Sequence, residues 1–197
     1  LEIDFETLIT GYLETNVGTS DHFLSDVLLE NLRNNLLKLY QKNCFLPAGT
    51  GNNIKLNHDV EVRSDSVYWL DRKHENVYEN EFLNRIEEFI LYLNKTCYAG
   101  ITGYEFHYSL YEIGSFYKKH LDQFQDNSSR KYSMVTYLNN DWQDGDGGHL
   151  MVHHANGNQY ISPTLGKTVF FKSSELVHEV QITYAQRLSV TGWLKRD

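Results

Sequence analysis

The hydrophobic period of this chain changes near residue 103, and that change limits the folds open to it. Upstream, apolar residues recur at helical spacing. Leu28, Leu29, Leu32, Leu36, Leu39 and Tyr40 make one stripe within 25–42, with Ser25 placed to cap it. Phe82, Leu83, Ile86, Phe89, Ile90 and Leu93 mark a second helix over 80–94, and 4–13 reads as a shorter one. Downstream, Tyr104, Phe106, Tyr108 and Leu110 alternate with Glu105, His107, Ser109 and Tyr111. A period of two belongs to a strand with one face buried. Further strands are expected at 67–70, 116–121, 131–139, 148–154, 159–162, 168–172, 176–182 and 187–195. Asn156-Gly157 suits a two-residue hairpin turn, and Asp144-Gly145-Asp146-Gly147-Gly148 a tight connection. Helices followed by many short strands predict a mainly β architecture, a sandwich or jelly roll with helices covering one sheet.

A length of 197 residues suits one domain. Against 26 acidic residues stand 18 basic ones, a formal charge of −8. That balance disfavours a nucleic-acid partner, whose phosphates need cations. The longest apolar runs fall well short of the ~20 residues of a membrane span. The start, LEIDFETLITGY, has neither the basic nor the apolar region of a signal peptide, so a cytoplasmic location is expected. It also lacks an initiator Met, which leaves the natural N-terminus open. Cys44 and Cys97 have no CxxC spacing and read as reduced thiols. The 44–62 stretch, rich in Asn and Gly, is long enough to be a binding loop or lid.

His120-Leu121-Asp122 is the first candidate for chemistry. On an extended strand these two side chains share a face. A His-x-Asp tripeptide is expected by chance in roughly one of two chains of this composition, so its weight rests on its partners elsewhere in the chain. Imidazoles beyond Asp122 are His149, His153, His154 and His178, the first three gathered around the expected hairpin. His178 lies in a β-type run, nine residues before Arg187. Arg187, Ser189, Thr191 and Trp193 alternate with Leu188, Val190 and Leu194. One face of that strand is apolar, and the other surrounds a fixed cation with small hydroxyl residues and one large ring. Two His and one carboxylate leave three open positions on an octahedral ion, the arrangement of non-haem Fe(II) oxygenases. Adding Arg187 implies 2-oxoglutarate, whose far carboxylate needs a charge-assisted partner.

Several further motifs accompany this set: Arg63-Ser64-Asp65, Tyr68-Trp69-Leu70, Tyr137-Leu138-Asn139-Asn140-Asp141-Trp142, Gly147-Gly148-His149-Leu150, His178-Glu179-Val180-Gln181 and Tyr184-Ala185-Gln186-Arg187. In order and spacing the chain resembles the 2-oxoglutarate- and Fe(II)-dependent dioxygenases, in the prolyl hydroxylase branch with the hypoxia-sensing enzymes and their bacterial relatives. The resemblance runs from about Asp21 to Asp197. It implies a double-stranded β-helix, cupin-like, as one domain over 1–197. Residues 1–100 would give helical support and a substrate-covering loop at about 46–62, and 101–197 the catalytic core. His120, Asp122 and His178 would ligate Fe(II). Arg187, helped by Tyr137 and Thr191, would hold the distal carboxylate of 2-oxoglutarate. Tyr111 would reach the co-substrate near the metal, and Trp193 would wall the pocket. Arg130, Arg63 and Asp65 match substrate-contact positions. Position 107 departs from the animal enzymes, being His where they carry an apolar residue.

The implied activity is hydroxylation of a prolyl residue in a protein or peptide, coupled to conversion of 2-oxoglutarate and O2 to succinate and CO2. Ascorbate is a further cofactor of this type of enzyme, and oxygen sensing a role within it. No nucleic acid or membrane partner is expected, and the oligomeric state is open. Nucleic-acid demethylases of the superfamily tend to carry a second arginine six residues after the first, where this chain has Trp193. Hydroxylation of a small molecule such as a free amino acid is the main alternative. An inactive jelly-roll sensor or binding module is the other, and the intact ligand set weighs against it.

Overall fold

A computed structural model describes residues 2–49, 61–123 and 127–196. The chain opens with helix α1 (Glu2–Thr15), strand β1 (Val17–Ser20) and helix α2 (Asp26–Gln41). β2 (Leu46–Pro47), β3 (Ser66–Trp69) and helix α3 (Val77–Cys97) follow. The remaining strands are β4 (Gly103–Tyr111), β5 (Tyr117–His120), β6 (Arg130–Tyr137), β7 (Leu150–His154), β8 (Gly157–Ile161), β9 (Thr168–Lys172), β10 (His178–Val180) and β11 (Arg187–Lys195). They form a seven-stranded sheet, β1-β9-β6-β11-β4-β3-β2, and a four-stranded sheet, β5-β10-β7-β8. The observed pairings are antiparallel.

The helices form where capping and periodicity agree. The Ser25 hydroxyl accepts the Leu28 N–H at 3.3 Å and starts α2. Asn76 Oδ1 accepts from the N–H groups of Tyr78 and Glu79, so α3 begins at Val77, earlier than its apolar stripe suggests. Both stripes turn onto the large sheet. Leu32, Leu36, Ile86 and Phe89 pack with Phe106, Leu110, Leu188, Val190 and Leu194 in one core. Burial of such side chains stabilises by ~1.5–3 kcal/mol each. Asn35 ties the layers together: its amide donates to the buried Glu79 carboxylate at 2.8 Å and to the Tyr108 hydroxyl at 3.2 Å. A second core lies between the two sheets, with Val135, Tyr137, Leu150, Val152, Val169, Phe171 and Leu176.

The jelly-roll expectation holds: two antiparallel sheets with helices on one of them. Three details differ from the sequence reading. β1 was not expected, because VGTS is too short and polar to show a pattern. It exists because Gly18 brings it against α1, where an added Cβ would lie 1.9 Å from the Leu8 carbonyl oxygen. The β7–β8 turn is Ala155-Asn156, one residue before the expected Asn156-Gly157, since His154 pairs with Gly157. The first half of the chain also contributes β1, β2 and β3 to the large sheet's edges. Of the expected 46–62 loop, residues 50–60 lie outside the described residues. Cys44 and Cys97 are free and exposed. Among the described residues no helix is long and apolar enough to cross a membrane.

Gly192 interrupts the apolar face of β11 because the Phe106 ring occupies that space. A Cβ there would sit 2.2 Å from the Glu105 carbonyl oxygen and 2.4 Å from Phe106 Cδ1. Gly192→Ala is therefore expected to destabilise by about 3 kcal/mol or more, seen as a lower urea midpoint. A midpoint equal to that of the wild type would show that β4 and β11 yield at no cost.

Candidate metal centre

The two imidazoles are brought together by strand register. His120 ends β5, His178 begins β10, and the two are direct antiparallel partners. Each ring is oriented the same way, by donating Nδ1–H to the carbonyl two residues earlier. His120 bonds Lys118 O at 2.7 Å, and His178 bonds Leu176 O at 2.9 Å. A carbonyl only accepts, so Nδ1 carries the proton and Nε2 points toward the centre of the site. Asp122 lies past the end of β5, so the expected strand alternation does not place it. The turn after His120 does, aided by Arg130, whose Nη1 donates to the Asp122 carbonyl at 3.4 Å.

His120 Nε2 is 3.4 Å from Asp122 Oδ1, and His178 Nε2 is 3.6 Å from Asp122 Oδ2. One donor atom from each of the three lies within 4.8 Å of the others, the one such cluster among the described residues. Cis donors on a first-row ion with bonds of about 2.0–2.2 Å are ~3 Å apart, so small movements close the set around one cation. The protonation states agree. Burial pushes His178 down to about 4, against the pull of Asp122, so its ring is neutral at pH 7. Burial pushes the Asp122 carboxyl up, but His178 and His120 more than offset it and hold it well below the usual range. An ionised carboxylate and imidazole lone pairs converging in a partly buried place fit a divalent iron ion.

Aromatic rings brace these ligands. Tyr117 stacks on His120 with centroids 3.5 Å apart and planes at 15°, and the Arg63 guanidinium lies 4.2 Å from the centre of the Tyr117 ring. Burial pushes the Tyr117 phenol up to about 12, so it stays neutral. Phe171 meets His178 edge-on at 4.8 Å. The sequence reading missed Tyr117, although its position three residues before His120 was visible.

His120, Asp122 and His178 line a cavity of about 910 Å³ that also reaches Arg187, Tyr111, Thr191 and Trp193. Arg187 is 3% exposed, and its guanidinium carbon is 4.9 Å from the ring centres of both Tyr111 and Tyr137. Arg187 Nε donates to the Gly148 carbonyl at 2.8 Å. Gly147 and Gly148 both have positive φ, and a Cβ on Gly148 would come within 3.0 Å of Arg187 Cδ. The Gly-Gly motif thus lets a backbone carbonyl reach the buried cation. The Tyr137 hydroxyl is buried without a hydrogen-bond partner among the described residues. A buried cation in the same cavity as His120, Asp122 and His178, with the Tyr137 ring against its guanidinium, fits a short dicarboxylate. Thr191 Oγ1 is 3.1 Å from Ser189 Oγ.

The other candidates divide. Arg130 lies 3.4 Å over the Trp193 ring and donates to Glu105 at 2.8 Å, on the cavity wall. Arg63 also lines the cavity. Asp65 is buried, and both its carboxylate oxygens accept from Arg63 at 2.7 Å. It orients Arg63. His149, His153 and His154 stand apart from the cluster, beside Trp142, Glu179 and Gln159 respectively.

If stacking on Tyr117 holds the His120 ring in place, Tyr117→Leu should weaken Mn(II) binding by about 10-fold, measured by calorimetry. The melting temperature should stay within a few degrees of the wild type. Unaltered Mn(II) affinity would remove Tyr117 from the positioning of the site.

The chain is similar to known proteins. Residues 106–195 match the model of the 2OG-Fe(II) oxygenase superfamily. A prolyl-4-hydroxylase from Pseudomonas putida is 29% identical and superposes with a TM-score of 0.88, over 98% of this chain and 99% of that one. A prolyl hydroxylase from Trichoplax adhaerens, solved with a hypoxia inducible factor peptide fragment, is 22% identical with a TM-score of 0.85, over 97% and 88%. The non-heme alpha-ketoglutarate-dependent epimerase SnoN is 12% identical with a TM-score of 0.69, over 100% and 84%, a likeness of fold alone. Residues 106–195 thus resemble the 2OG-Fe(II) oxygenase superfamily, and the fold of the chain is like that of the prolyl hydroxylases.

Proposed function

We propose that the chain is a 2-oxoglutarate-dependent dioxygenase that hydroxylates a prolyl residue of a protein or peptide. The observation that carries this is the convergence of His120, Asp122 and His178 in one cavity with the buried Arg187. Iron held by those three residues supplies the redox chemistry by which O2 and 2-oxoglutarate become succinate and CO2 while one oxygen atom enters a C–H bond of the substrate. Everything else falls to the protein.

Arg187 binds the distal carboxylate through its fixed charge, and the Tyr137 hydroxyl donates a second hydrogen bond to it. Tyr111 covers the flank of the guanidinium and keeps water from it. Burial raises both phenols, so neither competes as an anion for the metal or the cation. Thr191 offers a hydroxyl further along the same face. The Trp193 indole, pressed against Arg130, forms the wall against which the target residue sits. Arg63, oriented by Asp65, lines the same cavity. The likeness to the Pseudomonas putida prolyl-4-hydroxylase over nearly the full length of both chains supports a prolyl substrate. A complex of a related fold with a peptide supports a peptide rather than a free amino acid. No side chain is required as a general acid or base, and ascorbate would serve only to keep the metal ferrous.

His178→Ala is expected to abolish substrate-stimulated succinate release. Arg187→Ala should raise the 2-oxoglutarate requirement by about 100-fold, as loss of a charge-assisted bond to a buried carboxylate does. Mass spectrometry of a hydroxylated partner should show +16 on a proline. Undiminished turnover by the His178 variant overturns the iron assignment, and modification confined to free amino acids overturns the peptide assignment.

A further inference from the structure

The proposed reaction leaves one polar ring on the cavity wall without a task. His107 lies on β4, paired in register with Thr191 of β11 on one side and Trp69 of β3 on the other. Its ring centre is 4.8 Å from that of Trp69 and 5.5 Å from that of Trp193, and the two indoles are 6.4 Å apart. The three rings form a triangular cluster lining the cavity. Trp193 is nearly buried, while Trp69 is 48% exposed and forms the outer side. His107 itself is 3% exposed.

Among the described residues His107 Nδ1 is buried without a hydrogen-bond partner, and so is Trp193 Nε1 beside it. Buried polar atoms are almost always paired, and an exception in a binding cavity points to a ligand that completes it. Metal ligation does not explain the ring, since His107 is outside the donor cluster. Burial, reinforced by the charges of Arg63 and Arg130, pushes its pKa down to about 3 against the pull of Asp122. At pH 7 the imidazole therefore has one N–H to donate and one lone pair to accept with. The Trp193 indole can only donate.

These requirements select the ligand's chemistry. A neutral imidazole and an indole N–H offer no charge to hold an ammonium or a carboxylate, and the nearby Arg63 and Arg130 are already paired with Asp65 and Glu105. A peptide group is neutral, and its carbonyl has two lone pairs for two donors. We infer that His107 is a specificity-determining residue of the primary-substrate site, binding with Trp193 Nε1 the backbone amide beside the target residue. The inference rests on the prolyl hydroxylase reading and deepens it. His107 would be a reason that the enzyme takes proline within a peptide and refuses the free zwitterion.

The test uses the full chain loaded with Fe(II) and 2-oxoglutarate. The probes are a capped pentapeptide with a central proline flanked by alanines, and free L-proline. Peptide affinity is read under nitrogen from tryptophan fluorescence, 2-oxoglutarate affinity by calorimetry, and KM and kcat from succinate release. His107→Phe keeps a ring of similar size but cannot hydrogen-bond. It should raise the Kd and KM for the peptide about 10-fold, with kcat and 2-oxoglutarate affinity within two-fold of the wild type. His107→Gln, which both donates and accepts, should recover most of the loss. Peptide binding by the Phe variant equal to that of the wild type overturns the assignment, as does a loss that falls on 2-oxoglutarate instead. A wild type that ignores the peptide but hydroxylates free L-proline also overturns it, leaving the iron chemistry standing. A wild type that binds neither Fe(II) nor 2-oxoglutarate sinks the underlying reading, and this inference with it.

Discussion

A buried guanidinium is the constraint on which much of this structure turns. Arg187 is 3% exposed, and its Nε donates to a neutral carbonyl, that of Gly148. A charge taken out of water without a counter-ion is costly. The cost is acceptable if an anion enters the same cavity during function. The surroundings are arranged to keep the cation there. Tyr111 and Tyr137 flank it, and the Gly147-Gly148 turn brings a carbonyl to it. Gly147 in turn packs so closely on the Ile182 carbonyl that any side chain would clash.

β11 carries that cation and connects the two halves of the energetics. Its even positions 188, 190 and 194 belong to the helix-facing core, while Arg187, Thr191 and Trp193 face the cavity. Central placement between β4 and β6 leaves it little freedom to move. Helix packing on one side of the sheet thus fixes the site on the other. His120 and His178 come from the opposite, smaller sheet, so the candidate site is also an interface between sheets. Its geometry depends on the inter-sheet core of Val135, Leu150, Val152 and Phe171.

Much of this was legible in the residues, and for definable reasons. Periods of 3.6 and 2 over long segments located α2, α3, β4, β6 and β11, because burial of one face imposes them. The grouping of His120, Asp122, His178 and Arg187 around one cavity was legible because few sets combine two imidazoles, a carboxylate and a distant cation. What escaped was set by contact rather than by pattern. β1 has no periodicity of its own and exists because Gly18 fits against α1. The hairpin at 155–156 follows the register of β7 and β8, which overrode the preference of Asn-Gly for the turn itself. Tyr117 became visible only when its ring was found stacked on His120. The pairing of Asp65 with Arg63, through both carboxylate oxygens, is likewise a tertiary contact that no local pattern displays.

The division between the two sources of information follows from range. Local order along the chain determined the helices and the alternating strands, because each depends on neighbours within a few residues. Register between distant strands decided the rest. It set His120 opposite His178, Arg187 beside Tyr111, and His107 among two indoles, its nitrogen unpaired among the described residues. A sequence can name a histidine, but whether that histidine is satisfied depends on every surface that closes around it.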